Sequence, residues 1–230
     1  MNYSSAIVAL KKITLFSGLS YPDLKRLAKL ARVHHIPKGS LIFRKKMAGN
    51  HLFVVLRGRI KIFSELDQST KKKTFAYLEQ GDFFGEMSLL DKKGRSLSAH
   101  SLGETELMTI SRNEFQRLLA AEPSFALKVL KTTIERLRQA NEEIESLTFR
   151  SLYGRICRKI LDIAGKRSRF KNGRFASITH NELAELAGTA REMVTKVLSS
   201  LRRLGVIAYE DHHIKIVTES KLKELAQIEP

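Results

Sequence analysis

Cysteine is almost absent from this chain: Cys157 is the only one in 230 residues. A lone thiol can neither close an intrachain disulfide nor hold an iron–sulfur cluster that needs several thiolates. Cys157 lies with Ile156, Ile160 and Leu161 on an apolar helical stripe, which predicts a small core residue. No apolar run approaches a membrane span, and the first residues carry no signal-peptide pattern, so a cytoplasmic protein without a membrane partner is expected. Internal repeats and low-complexity tracts are missing too. So are a nucleophile–base pair, a metal-ligand spacing and a nucleotide-hydrolysing loop, which argues against an enzyme.

What is present is an ordinary globular composition, 43% hydrophobic, with length enough for two modest domains. The net charge of +17 suggests a polyanionic partner. Its distribution is uneven. Residues 150–203 hold 13 Lys or Arg against 4 Asp or Glu, whereas residues 204–230 come to −2. The rest lies in the first 149 residues, Lys71, Lys72 and Lys73 included.

The hydrophobic period changes along the chain. From about Val33 to Ile110, short runs of β-branched and aromatic residues alternate with Gly39, Gly49, Gly58, Gly81, Gly85, Gly94 and Gly103. Leu41–Phe43, His51–Leu56, Ile60–Phe63 and Thr74–Leu78 have strand length, which predicts a small antiparallel roll or barrel. A helix precedes it, with Ser20 as N-cap and Leu24, Leu27, Leu30 and Ala31 on one face. From Ser111 the period is helical, and Ser111 with Glu114 forms a capping-box pattern.

After Pro123 a long helix carries Leu130, Ile134, Leu137, Ile144 and Thr148 at heptad-like spacing, with Asn141 in the gap. Such a stripe with one polar member predicts a dimer seam. The alternative is a helix packed on its own barrel, where a buried Asn141 would lack a partner. The seam fades over Thr148–Gly154, which places a hinge there.

Residues 178–207, ITHNELAELAGTAREMVTKVLSSLRRLGVI, read as two helices separated by Gly188. Thr179 and Glu182 form a capping box for the first, whose inward face is Leu183, Leu186 and Ala187. Gly188 can adopt the left-handed turn conformation. The second helix buries Val194, Val197, Leu198 and Leu201 and displays Arg191, Glu192, Thr195, Lys196 and Ser199. This is the layout of a helix-turn-helix that reads a DNA major groove. Arg pairs with guanine, Glu accepts from cytosine, and Lys reaches guanine or phosphate. Thr179, Thr189, Thr195, Arg202 and Arg203 suit phosphate contacts. Val206–Tyr209 and Ile214–Val217 predict a hairpin wing. A helical repeat or protein-binding bundle is the competing interpretation.

The stretch GDFFGEMSLLDKKGRS, Gly81 to Ser96, places Gly85, Glu86 and Met87 ahead of Arg95 and Ser96. Glycine lets backbone N–H groups approach an anion, and Arg95 and Ser96 offer a cation and a hydroxyl donor. The Glu86 carboxylate suits a sugar hydroxyl. Alternatively this is a barrel turn with a surface Arg–Glu pair.

Taken together, FGEMSLL…GRS, the glycine-punctuated roll, the long helix and AGTAREMVTK resemble the bacterial catabolite activator / fumarate–nitrate regulator (Crp/Fnr) superfamily over nearly the whole chain. The resemblance implies an α+β fold with three parts. Residues 1–122 would form a cyclic-nucleotide-binding-like antiparallel β-roll, 123–150 the dimerisation helix and hinge, and 151–230 a winged helix-turn-helix. It implies a homodimeric regulator of double-stranded DNA, with RNA polymerase as a partner and cyclic AMP or a related cyclic nucleotide as effector. Gly85, Glu86, Arg95 and Ser96 match phosphate and ribose contacts. Ala140 and Asn141 match positions facing the base, Asn141 from the second subunit. Arg191, Glu192 and Lys196 match base-reading positions.

Three departures stand out: Leu97 where a small residue is usual, Ala140 without a hydroxyl, and Ala190 without a serine hydroxyl. The alternatives are a haem-based gas or redox sensor and a constitutive regulator without ligand. For haem, His34 and His35 are adjacent in a strand and point to opposite faces, His51 and His100 lie on strands, His180 on a helix, and His212 and His213 in the wing turn.

Overall fold

The computed structural model describes residues 7, 10–11, 13–65, 72–166, 174–210 and 213–227. Lys71 and His212 lie outside them. The chain divides into two compact units, residues 1–64 with 75–136 and residues 65–74 with 137–230.

The first unit begins with helix α1 (Tyr21–Leu30), whose N-cap Ser20 accepts from Asp23 N. One antiparallel sheet has the order β1-β8-β3-β6, formed by Arg32–Ile36, Thr105–Ser111, His51–Arg57 and Phe83–Phe84. The other has the order β2-β7-β4-β5, formed by Leu41–Phe43, Ser98–Ser101, Ile60–Glu65 and Lys72–Leu78. Period-two alternation divides the side chains of β3 between two cores. Val55 packs between the sheets with Ile60, Leu78, Phe84, Ala99 and Leu107. Leu52 and Val54 face the helices and meet Leu24, Leu27, Phe115, Leu118 and Phe125.

A single helical turn, α2 (Met87–Leu90), follows β6. Helix α3 (Arg112–Ala121) starts at Ser111, whose Oγ accepts from Glu114 N. The expected reciprocal bond of a capping box is replaced. Burial alone would raise the pKa of Glu114, but its carboxylate accepts from Arg117 and Arg26, which together hold it below its ordinary value. Two guanidiniums outcompete one backbone N–H for the same oxygens.

Helix α4 spans Pro123–Phe149, and the division between units falls after Arg136. Phe125 and Val129 enter the first unit's core. Leu130, Ile134, Leu137 and Ile144 are 42–61% exposed, so the seam does not pack on its own chain.

In the second unit, α5 (Leu152–Lys166) follows a break at Arg150–Ser151. Helices α6 (His180–Ala187) and α7 (Arg191–Arg203) follow, then the hairpin β10 (Ile207–Glu210) and β11 (His213–Ile216). Two elements were not read from sequence. They are β9 (Arg174–Ala176), which pairs antiparallel with β11, and α8 (Glu219–Leu225). One core joins Ile156, Cys157 and Ile160 of α5 to Leu183, Ala187, Val194, Leu198, Leu201, Ile214 and Leu222. Burial pushes the Cys157 thiol up to about 12, as suits a core residue.

Candidate effector site and nucleic-acid interface

In the first unit, the loop from β6 into α2 brings Gly85 and Glu86 to Arg95. Gly85 has φ +85, and a Cβ there would sit 2.3 Å from Arg95 Nη1. A Cβ on Gly49 would lie 2.6 Å from Arg95 Cζ, so two glycines make room for one guanidinium. Arg95 Nη1 donates to Gly85 O at 2.7 Å and Ser88 Oγ at 2.9 Å, and Nη2 donates to His51 O at 2.9 Å. The cation lies over the Phe43 and Phe53 rings at 4.4 and 5.4 Å.

Arg95 is 6% exposed, and its Nε–H is buried with no hydrogen-bond partner among the described residues. All its acceptors are neutral. Burial lowers its pKa, the Glu86 charge raises it, and Arg112 lowers it again.

Arg95 and Glu86 do not form the surface pair weighed above. Glu86 is 3% exposed and takes Arg136 of α4 as its partner, Nη1 to Oε1 at 2.8 Å. Arg136 also donates to Phe83 O and covers the Phe83 ring. Arg112 holds the turn from behind, donating to Gly49 O, Ser88 O and Leu89 O. These carbonyls include orphans of a helix too short to pair them. Sequence reasoning missed both arginines, because the contact between Glu86 and Arg136 spans 50 positions and has no local signal. Ser96 and Met87 are exposed, with Ser96 Oγ 3.5 Å from Met87 Sδ, and Leu97 is half-buried. Ala140 and Asn141 belong to the second unit, exposed on α4.

Among the histidines named for haem, His51 has its pKa lowered by burial first and then by the charges of Arg95 and His34. His34 bonds Thr109, His35 lies beside Glu106, and His180 bonds Thr195 and Tyr209. Among the described residues, no group of three or more His, Cys, Asp or Glu could hold a metal. No helix there is long and apolar enough to cross a membrane.

In the second unit, Thr179 and Glu182 make the reciprocal capping box at the start of α6. Gly188 ends α6 at φ +67, ψ +46, the left-handed conformation that turns the chain into α7. The last carbonyls of α6 are held from outside: Leu186 O accepts from Lys73 and Ala187 O from Arg155. Lys73 also pairs with Glu143. Glu143 pairs in turn with Lys159, and the two lysines hold its pKa low against the upward push of burial.

Helix α7 buries Val194, Val197, Leu198 and Leu201. Arg191, Glu192, Thr195, Lys196, Arg202 and Arg203 are exposed, and Thr189 is half-buried. Thr195, Lys196, Ser199, Arg202 and Arg203 share one open face of α7. Its polar and cationic side chains suit the phosphates and base edges of a duplex. Thr179 and Thr195 already spend their hydroxyl hydrogens on Glu182 and on Arg191 O. Ala190 is the N-cap of α7 and supplies no side-chain cap.

A two-sheet roll joined in one chain to a winged helix-turn-helix is the architecture of a DNA-binding transcription regulator. Comparison with known proteins gives the same class. Residues 33–122 match the cyclic nucleotide-binding domain, and residues 154–225 match the Crp-like helix-turn-helix domain. The cyclic AMP receptor protein of Thermus thermophilus is 32% identical over 217 residues, covering 94% of this chain and 98% of its own. The cAMP-activated global transcriptional regulator Vfr of Pseudomonas aeruginosa is 30% identical, covering 81% and 91%. Among solved structures, the c-di-GMP responsive global regulator CLP of Xanthomonas campestris superposes with TM-score 0.74 at 23% identity, covering 86% and 99%. The chain belongs to the Crp/Fnr family of transcription regulators, a family of DNA-binding proteins rather than enzymes.

Proposed function

We infer that the protein is a cytoplasmic homodimer whose DNA binding is gated by a cyclic nucleotide in the roll, cyclic AMP first among candidates. The carrying observation is Arg95, a buried guanidinium whose acceptors are neutral and whose Nε–H has no partner among the described residues. A cation so placed favours an anion of phosphate geometry. Buried Glu86 next to it suits a ribose hydroxyl, and Gly85 and Ser96 complete the group. Both relatives named above carry cyclic AMP in their names. By the family resemblance, Ala140 and Asn141 face the base in the assembled dimer. Alanine there removes a hydroxyl, and Leu97 narrows the space near the phosphate, so discrimination among cyclic nucleotides is expected to differ from that of the relatives.

The exposed seam Leu130, Ile134, Leu137, Asn141 and Ile144 supports the dimer, since apolar heptad positions left in water drive association. Arg191, Glu192 and Lys196 read bases, while Thr189 and Arg202 reach phosphates. Thr179 and Thr195 support that surface from within the module. RNA polymerase is the further partner. The effector acts through its differential affinity for two dimer arrangements, typically about 1–3 kcal/mol.

Calorimetry against cyclic AMP, cyclic GMP and cyclic di-GMP tests the gate, with Arg95→Ala as the control. Binding by the wild type and none by the variant is expected. Equal binding by both removes Arg95 from the site, and no binding of any nucleotide by the wild type leaves a constitutive regulator. A monomer in sedimentation at micromolar concentration would refute the seam.

A further inference from the structure

His180, Thr195 and Tyr209 stand on three different elements of the second unit and form one hydrogen-bonded chain. His180 is the first residue of α6, Thr195 lies on the exposed face of α7, and Tyr209 is on β10 of the wing. His180 Nδ1 is 3.0 Å from Thr195 Oγ1, and its Nε2 is 3.1 Å from Tyr209 Oη. Thr195 in turn donates to the carbonyl of Arg191 at 3.1 Å.

With a ring proton on Nδ1, the Thr195 contacts are satisfied together. Thr195 has one hydroxyl hydrogen and spends it on Arg191 O, so its oxygen accepts from His180 Nδ1–H. Nε2 and Tyr209 Oη share the second contact at 3.1 Å, in the direction the ring's tautomer sets. The contacts link the wing, through the start of α6, to the backbone of the residue that opens the base-reading helix. The imidazole and phenol rings lie 6.4 Å apart.

We propose that His180 is a positioning residue for sequence discrimination, pinning the wing to the first turn of α7. The idea rests on the DNA-binding reading and deepens it. A residue that fixes two DNA-facing elements in one register sharpens the fit to a preferred duplex. Because it neutralises no phosphate, its loss leaves the counterion-release term untouched. Sequence discrimination and salt dependence therefore separate, which a general structural role would not produce.

The test uses the full-length protein with cyclic AMP present and a duplex that the wild type selects from a random pool. Affinity for that duplex and for an unrelated one is measured by fluorescence anisotropy at several salt concentrations. His180→Ala is expected to narrow the ratio of the two affinities roughly fivefold, the size of one lost hydrogen-bond link, with the salt slope unchanged. His180→Gln, whose amide both donates and accepts, restores most of the ratio. Tyr209→Phe narrows it similarly, and the double variant His180→Ala with Tyr209→Phe is no worse than His180→Ala alone.

An unchanged ratio, or additive effects in the double variant, overturns the proposal. So does equal weakening on both duplexes with a slope reduced by about 1, which would make His180 a phosphate contact. Tyr209→Phe leaves the imidazole in place and keeps the test open should His180→Ala fold poorly. Failure of the wild type to select any duplex with cyclic AMP, cyclic GMP or cyclic di-GMP, and without nucleotide, would instead refute the DNA-binding reading itself.

Discussion

Arg136→Ala isolates the partnership between the long helix and the sensor loop. Glu86 is 3% exposed, and Arg136 Nη1 supplies its charged partner at 2.8 Å. Removing one member of a buried pair costs about 3–5 kcal/mol, because the remaining charge is neither solvated nor compensated. Arg136 is itself 33% exposed, so water enters where the guanidinium was and recovers part of that penalty. The bond to Phe83 O and the cover over the Phe83 ring are lost as well. The balance is a destabilisation of about 2–3 kcal/mol, or roughly 5–10 °C in the melting transition of the first unit.

Scanning calorimetry measures this shift directly. Arg136→Lys keeps the charge but cannot serve Glu86 and Phe83 O with one planar fork, so roughly half the loss is expected to remain. Glu86→Gln combined with Arg136→Met removes both charges and should recover most of the stability. A loss below about 0.5 kcal/mol for Arg136→Ala, or simple additivity of Arg136→Ala and Glu86→Gln, would refute the buried-pair argument.

Other consequences are equally concrete. Arg191→Ala should weaken binding to the selected duplex by about 1–3 kcal/mol and relax preference at one base pair, read by competition with single-position variants. Hydrogen bonding from Ser20, with Glu122 and Arg117, holds the Asp23 carboxyl at about 2. The folded value lies below the unfolded one, so this stability is complete above about pH 4 and disappears as pH falls through 2. Ser20→Ala should therefore cost about 1 kcal/mol at pH 7 through the lost cap. Its deficit in urea unfolding should shrink between pH 4 and pH 2, and a deficit independent of pH would contradict the linkage. Cys157, buried and pushed up to about 12, should resist a disulfide reagent at pH 8 in the native protein and react once the protein unfolds. Prompt reaction in the native state would contradict its burial.

The sequence by itself determined whatever depends on neighbours a few positions apart. The Thr179–Glu182 box, the Ser20 cap and the left-handed Gly188 are i, i+3 or single-residue signals, and each stands where the spacing predicts. The inward face of α7 follows from helical period, and that of α6 does so for Leu183 and Ala187, with Ala184 buried where Leu186 was expected; β2 to β5 follow from runs of β-branched and aromatic residues between glycines. The nearness of Gly85 to Arg95 was legible too, and Gly85 O accepts from Arg95 Nη1.

Tertiary structure alone decided how those residues are partnered. Nothing near Arg136 marks it as the partner of a carboxylate 50 positions earlier, and Arg112 looks like any first-turn arginine. Arg95 was expected as a generic cation. Its isolation comes from carbonyls of His51 and Gly85 and two phenylalanine rings that only the folded roll gathers. Glu114 carried a correct cap pattern and was claimed instead by arginines on two helices. Strand β9 was invisible for the same reason: three residues acquire strand character only through pairing with β11. Local conformation is set by backbone preference and side-chain reach within a turn. Charge pairing and hydrogen-bond direction depend on which distant groups share a desolvated space, and that is defined only once the chain has folded.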